Sequence, residues 1–101
     1  MELNVNKEGA HITIALSGEL NTLTAPALSE CIDANINDLD CLTLDFAECD
    51  YVSSAGLRVL LSTFKTLKPK NASMKLTNVG PNFLDVLENT NLDAVFDYET
   101  K

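Results

Sequence analysis

Apolar residues recur at every second position in some stretches of the chain and at every third or fourth in others. Leu3 and Val5 flank a polar Asn4, and Ile12, Ile14 and Leu16 resume the two-residue period after the turn-forming run Glu8-Gly9-Ala10. That period puts all the apolar side chains on one side of a strand, so the two runs predict an N-terminal β-hairpin. Gly18-Glu19-Leu20 ends its second strand. Thr24-Ala25-Pro26 opens a helix, because threonine caps free amides and proline is tolerated in a first helical turn. Leu28, Cys31, Ile32 and Ile36 follow at helical spacing. Leu42, Leu44 and Phe46 return to a period of two, which predicts a strand over 41–46 that carries Asp45 into an acidic loop, Glu48-Cys49-Asp50. Leu57, Leu60, Leu61 and Phe64 predict a second helix over 55–67, stopped before Pro69. Met74 and Leu76 mark a short strand, and Gly80-Pro81 start a third helix carrying Phe83, Val86 and Leu87. Val95-Phe96 begin a last short strand.

The strand–helix–strand crossovers after residue 41 favour parallel neighbours, whereas the hairpin is antiparallel. The expected fold is therefore α/β, a mixed sheet of about five strands with the helices packed mainly on one face. The opposite face then needs polar residues or a partner, and Asn4, Asn6, Thr13 and Thr43 fall at the positions that would make it polar. A chain of 101 residues without repeats, linkers or low-complexity segments is read as one domain, 1–101. With 46% of its residues apolar and 22% charged it can fill a core.

Charge and chemistry narrow the function classes. Seven basic against fifteen acidic residues give a formal charge of −8, which repels phosphate backbones and anionic lipid, so no nucleic acid is expected as a partner. Cys31, Cys41 and Cys49 are odd in number and show no CxxC spacing, which fits a reducing compartment better than a disulfide framework or a zinc site. With no signal-length apolar run near Met1 and no stretch approaching a membrane span, a cytoplasmic protein without membrane insertion is expected. His11 is the one histidine, and neither Gly-x-Ser-x-Gly nor a Gly-rich phosphate loop occurs, so neither an enzyme nor a cofactor is predicted. Asp45, Glu48 and Asp50 lack the dense spacing of a cation loop and are read as solvated, with no metal site.

Ser54 follows a strand and a loop and precedes the stripe that begins at Leu57, which puts its hydroxyl at or near a helix N-cap beside unpaired amides. Two roles are open to it there. It can serve as a plain cap, or it can accept a phosphoryl group, whose charge the amides and the dipole would hold without refolding. Asp45, Glu48 and Asp50, if close, would add to the anionic character of the modified face. Gly56 either eases helix entry or leaves the first-turn amides open to a close partner. Arg58 is unfavourable against the dipole unless it is solvated or points at the acidic loop or a phosphate.

Gly18-Glu19-Leu20-Asn21 with Thr24-Ala25, then Leu44-Asp45-Phe46, then Tyr51-Val52-Ser53-Ser54-Ala55-Gly56-Leu57, together resemble the landmarks of the STAS family over nearly the whole chain. The resemblance implies an anti-sigma-factor antagonist. Such a protein binds an anti-sigma factor that is also a serine kinase, frees a sigma factor, is switched off by phosphorylation of a helix N-terminal serine and is reset by a phosphatase. It places the phosphorylated serine on Ser54, ahead of Ser53. The implied partner face comprises Glu19, Asn21, Thr22, Asp45, Ser53, Ser54, Ala55, Gly56, Leu57 and Arg58. The family's best-known switch members carry an acidic residue where Ser53 stands, Ser or Thr in place of Ala55, and aspartate in place of Asn21. The rival implication is a non-switching STAS scaffold in a transport ATPase or a stress-signalling complex, with the serine only a cap.

Overall fold

The N-terminal alternation folds as its period dictates. β1 (Glu2–Glu8) and β2 (His11–Leu20) pair antiparallel around Gly9-Ala10, with Leu3 opposite Leu16 and Val5 opposite Ile14. The computed structural model describes residues 1–37 and 39–101. After the hairpin come α1 (Ala25–Asn35), β3 (Cys41–Val52), α2 (Ser54–Leu67), β4 (Ser73–Val79), α3 (Pro81–Asn89) and β5 (Asp97–Thr100). The sheet runs β1-β2-β3-β4-β5, antiparallel at the first pair and parallel at the other three. Among the described residues no helix is long and apolar enough to cross a membrane.

One face of this sheet carries the core. Ile12, Ile14 and Leu16 of β2, Leu42, Leu44 and Phe46 of β3, and Met74 and Leu76 of β4 are buried together with Leu28 and Ile32 of α1, Leu60 of α2, and Phe83 and Leu87 of α3. Each such side chain contributes about 1.5–3 kcal/mol when fully removed from water. The intervening residues, among them Thr13, Thr43, Asp45, Lys75 and Thr77, are only half-buried on the opposite face. There His11 hydrogen-bonds Thr43 Oγ1 at 3.0 Å, and Lys75 pairs with Glu99, which holds the lysine pKa above its ordinary value. The uncovered face is therefore polar, as the alternation implies.

Two boundaries differ from the sequence reading. β3 does not end at Phe46: Glu48, Cys49 and Asp50 belong to the strand, not to a loop. From Ala15 to Ser17 and again from Ser17 to Glu19, β2 advances two residues while β3 advances three, from Asp45 to Glu48 and on to Tyr51. Each extra residue is a bulge that shifts the inward position, so Phe46, Cys49 and Val52 are buried at steps of three and the period of two is lost. The last strand begins at Asp97, not at Val95-Phe96, because the amides of Val95 and Phe96 both donate to the Leu92 carbonyl at 3.0 Å and cannot join the ladder. Phe96 turns inward instead, edge-on to Phe64 with 5.8 Å between ring centroids.

Candidate functional site

The start of α2 is built by its two serines in different ways. Ser53 is extended (φ −85°, ψ 175°) and its Oγ accepts from the Gly56 amide at 3.4 Å, while its own amide donates to the Leu20 carbonyl at 2.8 Å. Ser53 is therefore the N-cap and is fastened to the end of β2. Ser54, expected at or near the cap, is the first helical residue and is exposed. The capping bond does not engage it.

Gly56 and Leu57 are buried, so they position the helix and do not form part of an open partner face. A Cβ on Gly56 would stand 2.7 Å from Leu20 Cγ and 3.0 Å from Val52 Cγ1. Close approach of the helix to β2 and β3 gives a reason for glycine here that neither sequence reading supplied. Ala55 is half-buried and Arg58 is exposed; with Thr22, Ala25 and Pro26 they line a groove of about 380 Å³ between α1 and α2.

The turn before α1 is held by side chains. Asn21 Oδ1 accepts from the amides of Leu23 at 2.9 Å and Thr24 at 3.1 Å, and the Asn21 carbonyl accepts from Ala25 at 2.8 Å. Thr24 does not cap α1 with its hydroxyl, contrary to expectation. That hydroxyl is committed backward, donating to the Glu19 carbonyl at 2.7 Å and accepting from the Asn21 amide at 2.8 Å. The Asn21 side chain acts here only as an acceptor, and none of these contacts needs a charge.

Asp45 and Asp50 are committed to contacts other than Ser54. Asp45 lies between Ala15 and Thr77 on the sheet face opposite the helices, where Oδ1 accepts from the Ala47 amide and from Asn78 Nδ2, both at 2.9 Å. Its partner Asn78 has a left-handed backbone (φ 55°), and the pair lies on the face away from Ser54's helix. Asp50 reaches α3: Oδ1 accepts from the Phe83 amide at 3.2 Å and Oδ2 from Asn82 Nδ2 at 2.9 Å. Asp50 thus caps the helix from outside it, beside the N-cap residue Gly80, where a Cβ would overlap the Asp50 carboxylate. Asp50→Ala is expected to lower stability by about 1–2 kcal/mol in urea unfolding followed by circular dichroism. Among the described residues no group of carboxylates, histidines and cysteines could hold a metal. Burial, foremost, pushes the Cys49 thiol pKa up, so it stays protonated and is no nucleophile at neutral pH.

Glu19, Thr22, Ser54 and Arg58 of the anticipated face are exposed, with Asn21 and Ser53 half-buried beneath them. Two large apolar residues absent from that set stand out from the surface, Leu23 at 88% exposure and Tyr51 at 53%. Leu23 had a signal in the sequence: it lies between two threonines, off both the strand alternation and the helical stripe.

The class these features define is a small α/β domain covered by helices on one sheet face, with an exposed serine where β3 passes into α2. The chain belongs to the STAS domain family, whose model matches residues 2–101. It is similar to the anti-sigma-B factor antagonist of Bacillus subtilis, 26% identical over 101 residues that span 100% of this chain and 93% of that protein. Among solved structures it is similar to an anti-sigma factor antagonist from Mycobacterium paratuberculosis, 26% identical with a TM-score of 0.87, covering 99% of this chain and 86% of that one. It also shares its fold with the Bacillus protein SpoIIAA, 17% identical. The unphosphorylated form aligns with a TM-score of 0.85 over 99% of this chain and 90% of that one, and the phosphorylated form with 0.77 over 99% and 93%.

Proposed function

We propose that this chain is an anti-sigma factor antagonist: it binds an anti-sigma factor with serine-kinase activity, frees the sigma factor, and is released when Ser54 is phosphorylated. The observation that carries this reading is the division of labour at α2. Ser53 caps the helix, so the exposed hydroxyl of Ser54 is available to a kinase at no cost to the cap. A phosphoryl group on Ser54 would add about −1.5 to −2 charges where helix amides and the dipole favour an anion. The N-terminus of α3 is already met by the Asp50 carboxylate, whereas among the described residues that of α2 receives from side chains only the long 3.4 Å bond from Ser53. The similarity to proteins named as anti-sigma factor antagonists supports the same reading. The chain acts by binding, and a phosphatase restores the free hydroxyl.

Incubation with ATP and the anti-sigma kinase of the source organism is expected to add one phosphate, located by peptide mass spectrometry. Ser54→Ala abolishes the addition. Ser53→Ala retains it, at a stability cost of about 1 kcal/mol for the lost cap. Phosphate on Ser53, or none with any anti-sigma kinase of that organism, overturns the switch and leaves a scaffold as the function of the fold.

A further inference from the structure

Leu23 is the most exposed large apolar side chain among the described residues, at 88%, and it sits on a turn tied by side-chain hydrogen bonds. Its own amide and that of Thr24 are held by Asn21 Oδ1, and the Thr24 hydroxyl bridges the Glu19 carbonyl and the Asn21 amide. The turn cannot fold Leu23 back without breaking those bonds. Its position is also fixed relative to Ser54. The Leu20 carbonyl accepts the Ser53 amide at 2.8 Å, and Glu19 pairs with Tyr51, the second exposed apolar side chain, across β2 and β3. An apolar residue held in water by a rigid turn contributes nothing to the core. Its backbone is already ordered, so covering it costs only the freedom of the side chain, which favours an interface anchor.

We infer that Leu23 is the apolar anchor by which this chain docks on its anti-sigma factor, filling an apolar socket on that protein while Ser54 lies against the kinase centre. This rests on the function proposed above and goes beyond it by assigning affinity and phosphorylation to separate residues. Continuity of the turn with the Ser54 site selects this occupant. The formal charge of −8 opposes an anionic membrane and, by like-charge repulsion, a second copy of the chain.

The test compares Leu23→Ser with the unaltered chain, using the purified anti-sigma kinase that phosphorylates Ser54. Because the side chain is exposed, Leu23→Ser is expected to keep the melting temperature. It should weaken the complex by about 10- to 100-fold in calorimetry, the loss typical of an anchor residue. In the phosphorylation assay it should raise KM by a similar factor with kcat unchanged, since an anchor that touches no reacting atom supplies uniform binding. Asn21→Ala, which frees the turn but keeps Leu23, should weaken binding by a smaller factor, whereas Asn21→Asp should not. Two outcomes overturn the inference: Leu23→Ser binding as tightly as the unaltered chain, or a loss confined to kcat. If Ser54→Asp still weakens the complex in that case, the function stands and only the anchor falls. If Leu23→Ser instead abolishes a dimer seen in sedimentation equilibrium and leaves kinase binding intact, the residue serves self-association and the anchor is likewise refuted.

Discussion

Ser54→Asp is expected to weaken binding to the anti-sigma factor by about a thousandfold, a loss of about 4 kcal/mol, while Ser54→Ala changes affinity by less than about threefold. The asymmetry follows from where the side chain stands. As an exposed first helical residue outside the capping bond, Ser54 contributes little to the fold, and removing its hydroxyl removes no cap. A carboxylate at the same place is welcome in the free protein, where the helix dipole favours it by about 0.3–1 kcal/mol. In the complex the same charge must be stripped of water against a surface shaped for a neutral hydroxyl, and an unpaired charge buried in an interface costs about 2–5 kcal/mol. The variant should thus melt at or slightly above the temperature of the unaltered chain while binding far more weakly. Calorimetry and thermal unfolding on one preparation check both halves. Equal affinities for Ser54→Asp and Ser54→Ala would show that charge at this position does not control docking.

What could be read in the sequence was set by locality. The hairpin, the stripes of α1, α2 and α3, and the short β4 rest on periods of two or near four within single segments, and the structure keeps them. The errors lie where a residue's partner is distant or the period is broken. Phe46, Cys49 and Val52 lie three apart because β3 bulges twice against β2, and nothing local distinguishes that spacing from a loop. Asp50 looked like a solvated acid because the amide it caps belongs to Phe83, 33 residues further on. The site was legible as a stretch of chain, since a serine pair before an apolar stripe announces a helix start. Which serine caps was not, because that depends on the Ser53 amide being fixed by Leu20 on another strand. Asp45 was legible as far as its face, since it shares the alternation of Thr43; its bond to Asn78, 33 residues further on, was not.

Gly56→Val is expected to destabilise the fold by about 3 kcal/mol, the upper end of what overpacking costs. The first added carbon alone would lie 2.7 and 2.9 Å from Leu20 Cγ and Cδ2 and 3.0 Å from Val52 Cγ1. Neither neighbour can yield into solvent, since Leu20 and Val52 are 0% and 4% exposed in the core. Valine recovers only a few tenths of a kcal/mol of helix propensity relative to glycine, so the collision decides the sign. For a domain of this size the loss corresponds to roughly 15 °C in melting temperature. Relief can come only if the first turn of α2 lifts away from β2 and β3. That movement strains the bond from the Ser53 amide to the Leu20 carbonyl and carries Ser54 out of register with the turn that holds Leu23. Well below its melting temperature, therefore, folded Gly56→Val should also be phosphorylated more slowly on Ser54 than the unaltered chain, although valine touches no partner. Gly56→Ala, with the same first carbon but no branches, should fall between the two in both measurements. Unaltered stability in both variants would mean that the helix start is not seated against β2 and β3 as described.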